Sequence, residues 1–182
     1  LQVEALNASK LKTFKKCDSS YLFSVYTDKP KDGTFYVVYV ARSLNVWRTG
    51  SKEEATRLRD RLNKLKPLIS ALEKADSKTF PKELEQLRQS VQNNHTYGNI
   101  HHAAACNFAS IIRKLCENKQ HEIVVNEATT DGCFPLQIAV ANEAKESVQE
   151  LLRLGASATK PDCHLRNAIH YAAERDPEIL EV

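Results

Sequence analysis

The stretch Asp131-Gly132-Cys133-Phe134-Pro135-Leu136-Gln137-Ile138-Ala139-Val140 decides the fold, because it recurs. Asp162-Cys163-His164-Leu165-Arg166-Asn167-Ala168-Ile169-His170-Tyr171-Ala172-Ala173 aligns with it when Ala139 is set on Ala172, a period of 172 − 139 = 33 residues. A period of this length marks a stacked solenoid, in which each unit buries its apolar face only against its neighbours. Asp131-Gly132 supplies a turn, since glycine accepts positive φ without a steric clash. Pro135 fits the first turn of a helix, where its missing N–H is no loss. Leu136, Ala139 and Val140 follow at helical spacing, with the alanine small enough for two helices to approach. Val148, Leu151 and Leu152 form the buried stripe of a second helix, which Gly155 stops as a left-handed cap.

These residues resemble the ankyrin-repeat family. Its turn-and-helix signature, Gly-x-Thr-Pro-Leu-His-x-Ala-Ala, maps onto Gly132 through Val140, and its Leu-Leu-x-x-Gly-Ala close onto Leu151, Leu152, Gly155 and Ala156. Phe134 replaces the threonine and Gln137 the histidine, which puts the hydrogen bonds of those two positions in question. In the next unit Leu165 stands at the glycine position and Ala168 at the proline, so a different turn is expected there. An earlier, more degenerate unit begins at Ile100-His101-His102-Ala103-Ala104, with Asn107 at the mid-hairpin position that favours a left-handed residue. Ile111, Ile112, Leu115 and Cys116 are its expected second-helix core, and about three inserted residues are expected within 117–126. The last unit starts its second helix near Pro177. With no room for a polar closing face, the chain is expected to be a piece of a longer protein with further repeats.

Outward from the repeats, residues 80–93 read as a capping helix for the stack, with Thr79 as N-cap, Pro81 in the first turn, and Leu84, Leu87 and Val91 buried. Ser51-Lys52-Glu53-Glu54 is a capping box, followed at helical spacing by Ala55, Leu58, Leu62 and Leu65. The other face carries Arg57, Arg61 and Lys64; a solvated face is the default and a membrane-surface or calmodulin-like role the minority reading. Pro67 should kink or restart this helix, which continues through Leu68, Ile69 and Leu72 to about Ala75. Tyr21–Tyr26 and Phe35–Val40 read as strands joined by a polar hairpin loop with Asp32-Gly33 as its turn, and Asn45–Arg48 as a third, with Trp47 in the core. Lys10, Lys12, Lys15 and Lys16 form a basic cluster before the strands, read as solvated. The expected class is therefore α+β: a small N-terminal antiparallel β segment with helices over 1–78, then a helical repeat solenoid over 79–182 holding the capping helix and about three repeats.

Composition places the chain among ordinary globular proteins: 182 residues, 42% hydrophobic, net charge +3. Five cysteines without framework spacing read as reduced thiols of a cytoplasmic protein. No apolar run approaches the 18 or so residues of a membrane span, and no signal peptide is visible. The sequons at Asn7 and Asn94 are chance occurrences without a secretory signal. Isolated glycines at 33, 50, 98, 132 and 155 build no nucleophile elbow, P-loop or dinucleotide fingerprint. His101-His102 with Cys106, and Cys163-His164 with His170, lack the paired spacing of a metal site. No catalytic residue, cofactor site or metal site is expected, and no nucleic-acid partner.

The order of parts, together with Asp131-Gly132-Cys133-Phe134-Pro135-Leu136 and the Asn94-His95 to Ala103 run, resembles the N-terminal region of the group VI calcium-independent (patatin-like) phospholipases A2. The resemblance implies a parent enzyme that hydrolyses the sn-2 ester of glycerophospholipids with a serine and an aspartate beyond Val182. This segment would then serve oligomerisation, membrane approach or regulation. The alternative is a non-enzymatic adaptor that binds a protein partner. In either case the candidate contact residues are Thr130, Asp131, Ala141, Asn142, His164 and Arg166, on hairpin tips and first helices. Partners are expected to be another protein or a second copy, with peripheral membrane contact. A third, weaker reading makes the β part a separate lipid- or peptide-binding module.

Overall fold

The computed structural model describes residues 23–26, 35–40, 44–75, 78–117 and 124–175. The chain divides into two compact units, Leu1–Lys66 and Pro67–Val182. The boundary expected at 78/79 falls inside the second unit, at the turn before the capping helix.

In the first unit β1 (Phe23–Tyr26), β2 (Phe35–Val40) and β3 (Leu44–Thr49) form one antiparallel sheet in the order β1-β2-β3. Phe23 pairs with Tyr39, and Val37 with both Val25 and Trp47. Trp47 is half-buried. Helix α1 (Lys52–Lys64) packs on all three strands and buries Ala55, Leu58 and Leu62. A sheet this small needs such a cover. The expected cap at Ser51 forms with its return bond shifted by one residue: Glu54 N–H donates to Ser51 Oγ at 3.1 Å, and the Glu54 carboxylate accepts from Gly50 N–H, before the N-cap, at 2.9 Å.

In the second unit come α2 (Lys66–Ala75), α3 (Phe80–Asn93), α4 (Asn99–Ala105), α5 (Ala109–Leu115), α6 (Pro135–Ala141), α7 (Lys145–Arg153) and α8 (Ala168–Arg175). Pro67 sits in the first turn of α2, so it restarts the helix after Leu65 has broken it. Helix α3 buries Phe80, Leu84, Leu87 and Val91 and packs on α4, as a cap would. Thr79 makes no side-chain capping bond, contrary to expectation, and its backbone is already helical. First helices stack on first helices (α4 on α6, α6 on α8), and second helix α5 stacks on α7.

The α+β class expected from the sequence is corrected. Eight helices carry the described fold, and the strand residues form a single small sheet in the first unit. From Lys52 onward the apolar residues recur with helical period, and the buried apolar residues described there lie chiefly on helices.

The basic cluster of Lys10–Lys16, the hairpin loop with Asp32-Gly33, Tyr21, Leu22, most of the expected insertion, and the second helix near Pro177 lie outside the described residues.

Candidate protein-interaction surface

The hairpin between paired helices is set by one left-handed residue. Asn107 has φ 57° and Glu143, 36 residues on, has φ 55°. Phe108 N–H reaches Ala103 O at 2.9 Å, and Ala144 N–H reaches Ala139 O at 2.9 Å, closing the same loop twice. Asparagine at 107 was legible because it tolerates this conformation; glutamate at 143 carries no such signal.

The turn before each first helix is also repeated. Thr129 N–H donates to Cys133 O at 2.8 Å and Gly132 N–H to Thr129 O at 2.9 Å; Asp162 N–H donates to Arg166 O at 2.8 Å and Leu165 N–H to Asp162 O at 3.0 Å. The turn at 162–166 was expected to differ and does not. Leu165 adopts φ 60° where Gly132 has φ 77°. Its physical support is Asp162, whose carboxylate accepts from His164 N–H (2.8 Å), Arg166 N–H (3.0 Å) and the Tyr171 hydroxyl (2.6 Å). Burial pushes the Asp162 carboxyl up, but the Tyr171 hydroxyl and the Arg166 and His164 N–H groups outweigh it and leave it lowered. The same bond pushes the Tyr171 phenol up to about 12. In the preceding unit Thr129 Oγ1 takes the equivalent bond from Cys133 N–H at 3.0 Å.

A side-chain ladder joins the units. His101 Nδ1 accepts from Gly98 N–H at 3.1 Å, which puts its proton on Nε2, and Nε2 donates to Glu127 O at 2.8 Å. Gln137 reproduces both bonds: Oε1 accepts from Phe134 N–H at 2.8 Å, and Nε2 donates to Lys160 O (3.0 Å) and Arg166 O (2.9 Å). The hydrogen bonds left in question by the histidine-to-glutamine departure are therefore made. His170 repeats the first half, accepting from Asn167 N–H at 3.2 Å. Two asparagines add rungs. Asn107 accepts from Ser147 N–H at 2.9 Å and donates to Glu146, while Asn126 accepts from Ser157 N–H at 2.9 Å and donates to Gly155 O at 3.2 Å. Between second helices, Glu150 takes bonds from Arg113 and Arg153, and these hold its carboxyl down at about 2.

Thr130 and Asp131 are exposed on one turn; His164 is exposed and Arg166 half-buried on the next. The two turns touch, since a Cβ added at Gly132 would lie 3.3 Å from Cys163 N. Arg166 stacks on the Tyr171 ring at 4.3 Å and pairs with Glu174 at 2.5 Å. Ala141, half-buried, and Asn142, exposed, lie at the far end of α6, where Asn142 Nδ2 donates to Ile138 O at 2.8 Å. The structure thus groups four of the six expected residues and sets two apart. Sequence reasoning missed Leu165, which is 81% exposed at the tip of its turn, and Ile169, one helical turn further on at 48%. Their repeat equivalents are glycine and a core leucine, so periodicity alone assigned them no surface role.

Among the described residues no cluster of three or more His, Cys, Asp or Glu could hold a metal ion, and no helix is long and apolar enough to cross a membrane. Cys106, Cys116, Cys133 and Cys163 are free thiols, and burial pushes Cys106 and Cys116 up to about 11. No curated protein matches the chain. The family model described as ankyrin repeats (3 copies) matches residues 100–182, and a match of this kind suggests a protein-interaction segment.

Proposed function

We propose that this chain is the regulatory and interaction segment of a longer calcium-independent phospholipase A2, which cleaves the sn-2 ester of glycerophospholipids with catalytic residues outside the sequence given. What supports the reading is the order of parts: a small sheet with a covering helix, a helical cap, a degenerate repeat, then the unit opening Asp131-Gly132-Cys133-Phe134-Pro135-Leu136. The turn surface of Thr130, Asp131, His164 and Arg166, with Ala141 and Asn142 at the other end of α6, is the proposed contact site for a protein partner or a second copy. Its backbone is fixed by the ladder and the Asp162 cap, so it loses little conformational entropy on binding. The protein would work in the cytoplasm and meet membranes peripherally.

The test is fatty-acid release from glycerophospholipid vesicles by the full-length protein with a calcium chelator present. Release that is abolished by replacing a downstream Gly-x-Ser-x-Gly serine with alanine supports the reading. A full-length chain with no such serine and no release refutes it and leaves the non-enzymatic adaptor.

A further inference from the structure

We infer that the first unit carries an electrostatic docking surface for anionic phospholipid bilayers. The choice of a bilayer over another polyanion rests on the phospholipase reading; the surface itself rests on charge. Residues 1–66 hold 14 Lys and Arg against 7 Asp and Glu, a net of +7, whereas residues 67–182 hold 12 against 16, a net of −4. The overall +3 is thus the sum of two units of opposite sign, and the first has the charge density of a surface-binding module.

Helix α1 decides where part of that charge lies. Its apolar residues Ala55, Leu58 and Leu62 are buried where it packs on the sheet, so they cannot insert into lipid. Arg57 and Lys64 are exposed, as is Lys66 just beyond the helix, and none of the three has an ion-pair partner among the described residues. Arg57, Arg61 and Lys64 share one side of the helix, at i, i+4 and i+7, spanning about 10 Å along the axis. The acidic groups of α1 are engaged elsewhere: Glu54 caps Gly50 N–H, and Asp60 pairs with Arg59 at 2.7 Å. Glu53 stands in the first turn, where it favours the helix dipole. In the second unit the arginines are spent differently, with Arg88, Arg113, Arg153 and Arg166 each closed on a glutamate. Lys10, Lys12, Lys15 and Lys16 add to the charge of the same unit. Binding of this kind is peripheral, reversible and weakened by salt.

The experiment is co-sedimentation of the 182-residue chain with phosphatidylcholine vesicles, with and without phosphatidylserine, across a salt series, beside a DNA duplex of arbitrary sequence. The expected result is binding only to the phosphatidylserine vesicles, lost at high salt, and reduced about tenfold or more in the Arg57→Glu/Lys64→Glu variant. Circular dichroism confirms that the variant is folded, and Arg57→Gln/Lys64→Gln replaces it if it is not. Equal binding to pure phosphatidylcholine, undiminished binding by the folded variant, or preference for the duplex at matched salt would each overturn the inference. Vesicle binding by this chain alongside a full-length protein that releases no fatty acid would leave the surface standing and remove the enzyme. Fatty-acid release without vesicle binding by this chain would do the reverse.

Discussion

Replacing Gln137 tests the ladder most directly. The side chain is 3% exposed and makes three hydrogen bonds, one accepted from Phe134 N–H and two donated across the repeat boundary. Gln137→Ala strands the Phe134 amide and removes a partner from two carbonyls. A buried unsatisfied group costs about 1–3 kcal/mol, and Lys160 is exposed enough for its carbonyl to regain water, so the expected loss is about 2–4 kcal/mol. Gln137→His should cost within about 1 kcal/mol, because an imidazole offers an acceptor and a donor in the arrangement that His101 already uses. Urea unfolding followed by far-ultraviolet circular dichroism reads the difference. With a slope of about 2 kcal/mol per molar, Gln137→Ala should lower the midpoint by about 1–2 M and Gln137→His by less than about 0.5 M. Two variants that lose stability equally, or an alanine variant within about 1 kcal/mol of the parent, would refute the claim that this side chain joins the units.

Three further outcomes follow from the same geometry. Leu165→Gly should raise stability by about 0.5–1 kcal/mol, since relief of left-handed strain exceeds the added chain entropy and an 81% exposed leucine buries little; a lowered melting temperature would contradict it. His101 is buried neutral, and desolvation lowers its pKa against the smaller opposing effect of the Glu127 carbonyl. Its contribution is therefore complete above the unfolded value of 6.5 and is lost as pH falls below it, toward the lower folded value. His101→Gln should hold stability at pH about 8 and flatten the decline below about 6.5, as measured by urea midpoints at several pH values. Gly132→Cys would place its Cβ 3.6 Å from that of Cys163, within disulfide range, so mild oxidation should consume two of the variant's six thiols by mass and thiol titration; all six thiols still free after oxidation would mean the turns are not adjacent.

Much of the repeat was readable from residue chemistry. Gly132, Gly155 and Asn107 marked left-handed positions because few residues tolerate them, and all three adopt positive φ. Ala103, Ala139 and Ala172 marked the close helix approaches and are buried. The cap at Ser51 and the restart at Pro67 were equally local. The six contact residues were chosen by repeat position, which does not show how the fold groups them. The turn at Thr130 and Asp131 precedes α6, whereas Ala141 ends that helix and Asn142 caps it.

The sequence by itself determined the period, the helix stripes and the places where the backbone must turn, because each depends on neighbours within a few residues. Tertiary structure decided what broke the pattern. Leu165 holds a glycine's conformation because Asp162 binds the turn from below and Tyr171, on the following helix, completes the cap. Gln137 does a histidine's work because the carbonyls of Lys160 and Arg166, 23 and 29 residues away, converge on its amide. Neither convergence is encoded in the spacing of any one unit; each exists only once two units have stacked and their polar groups must find partners away from water.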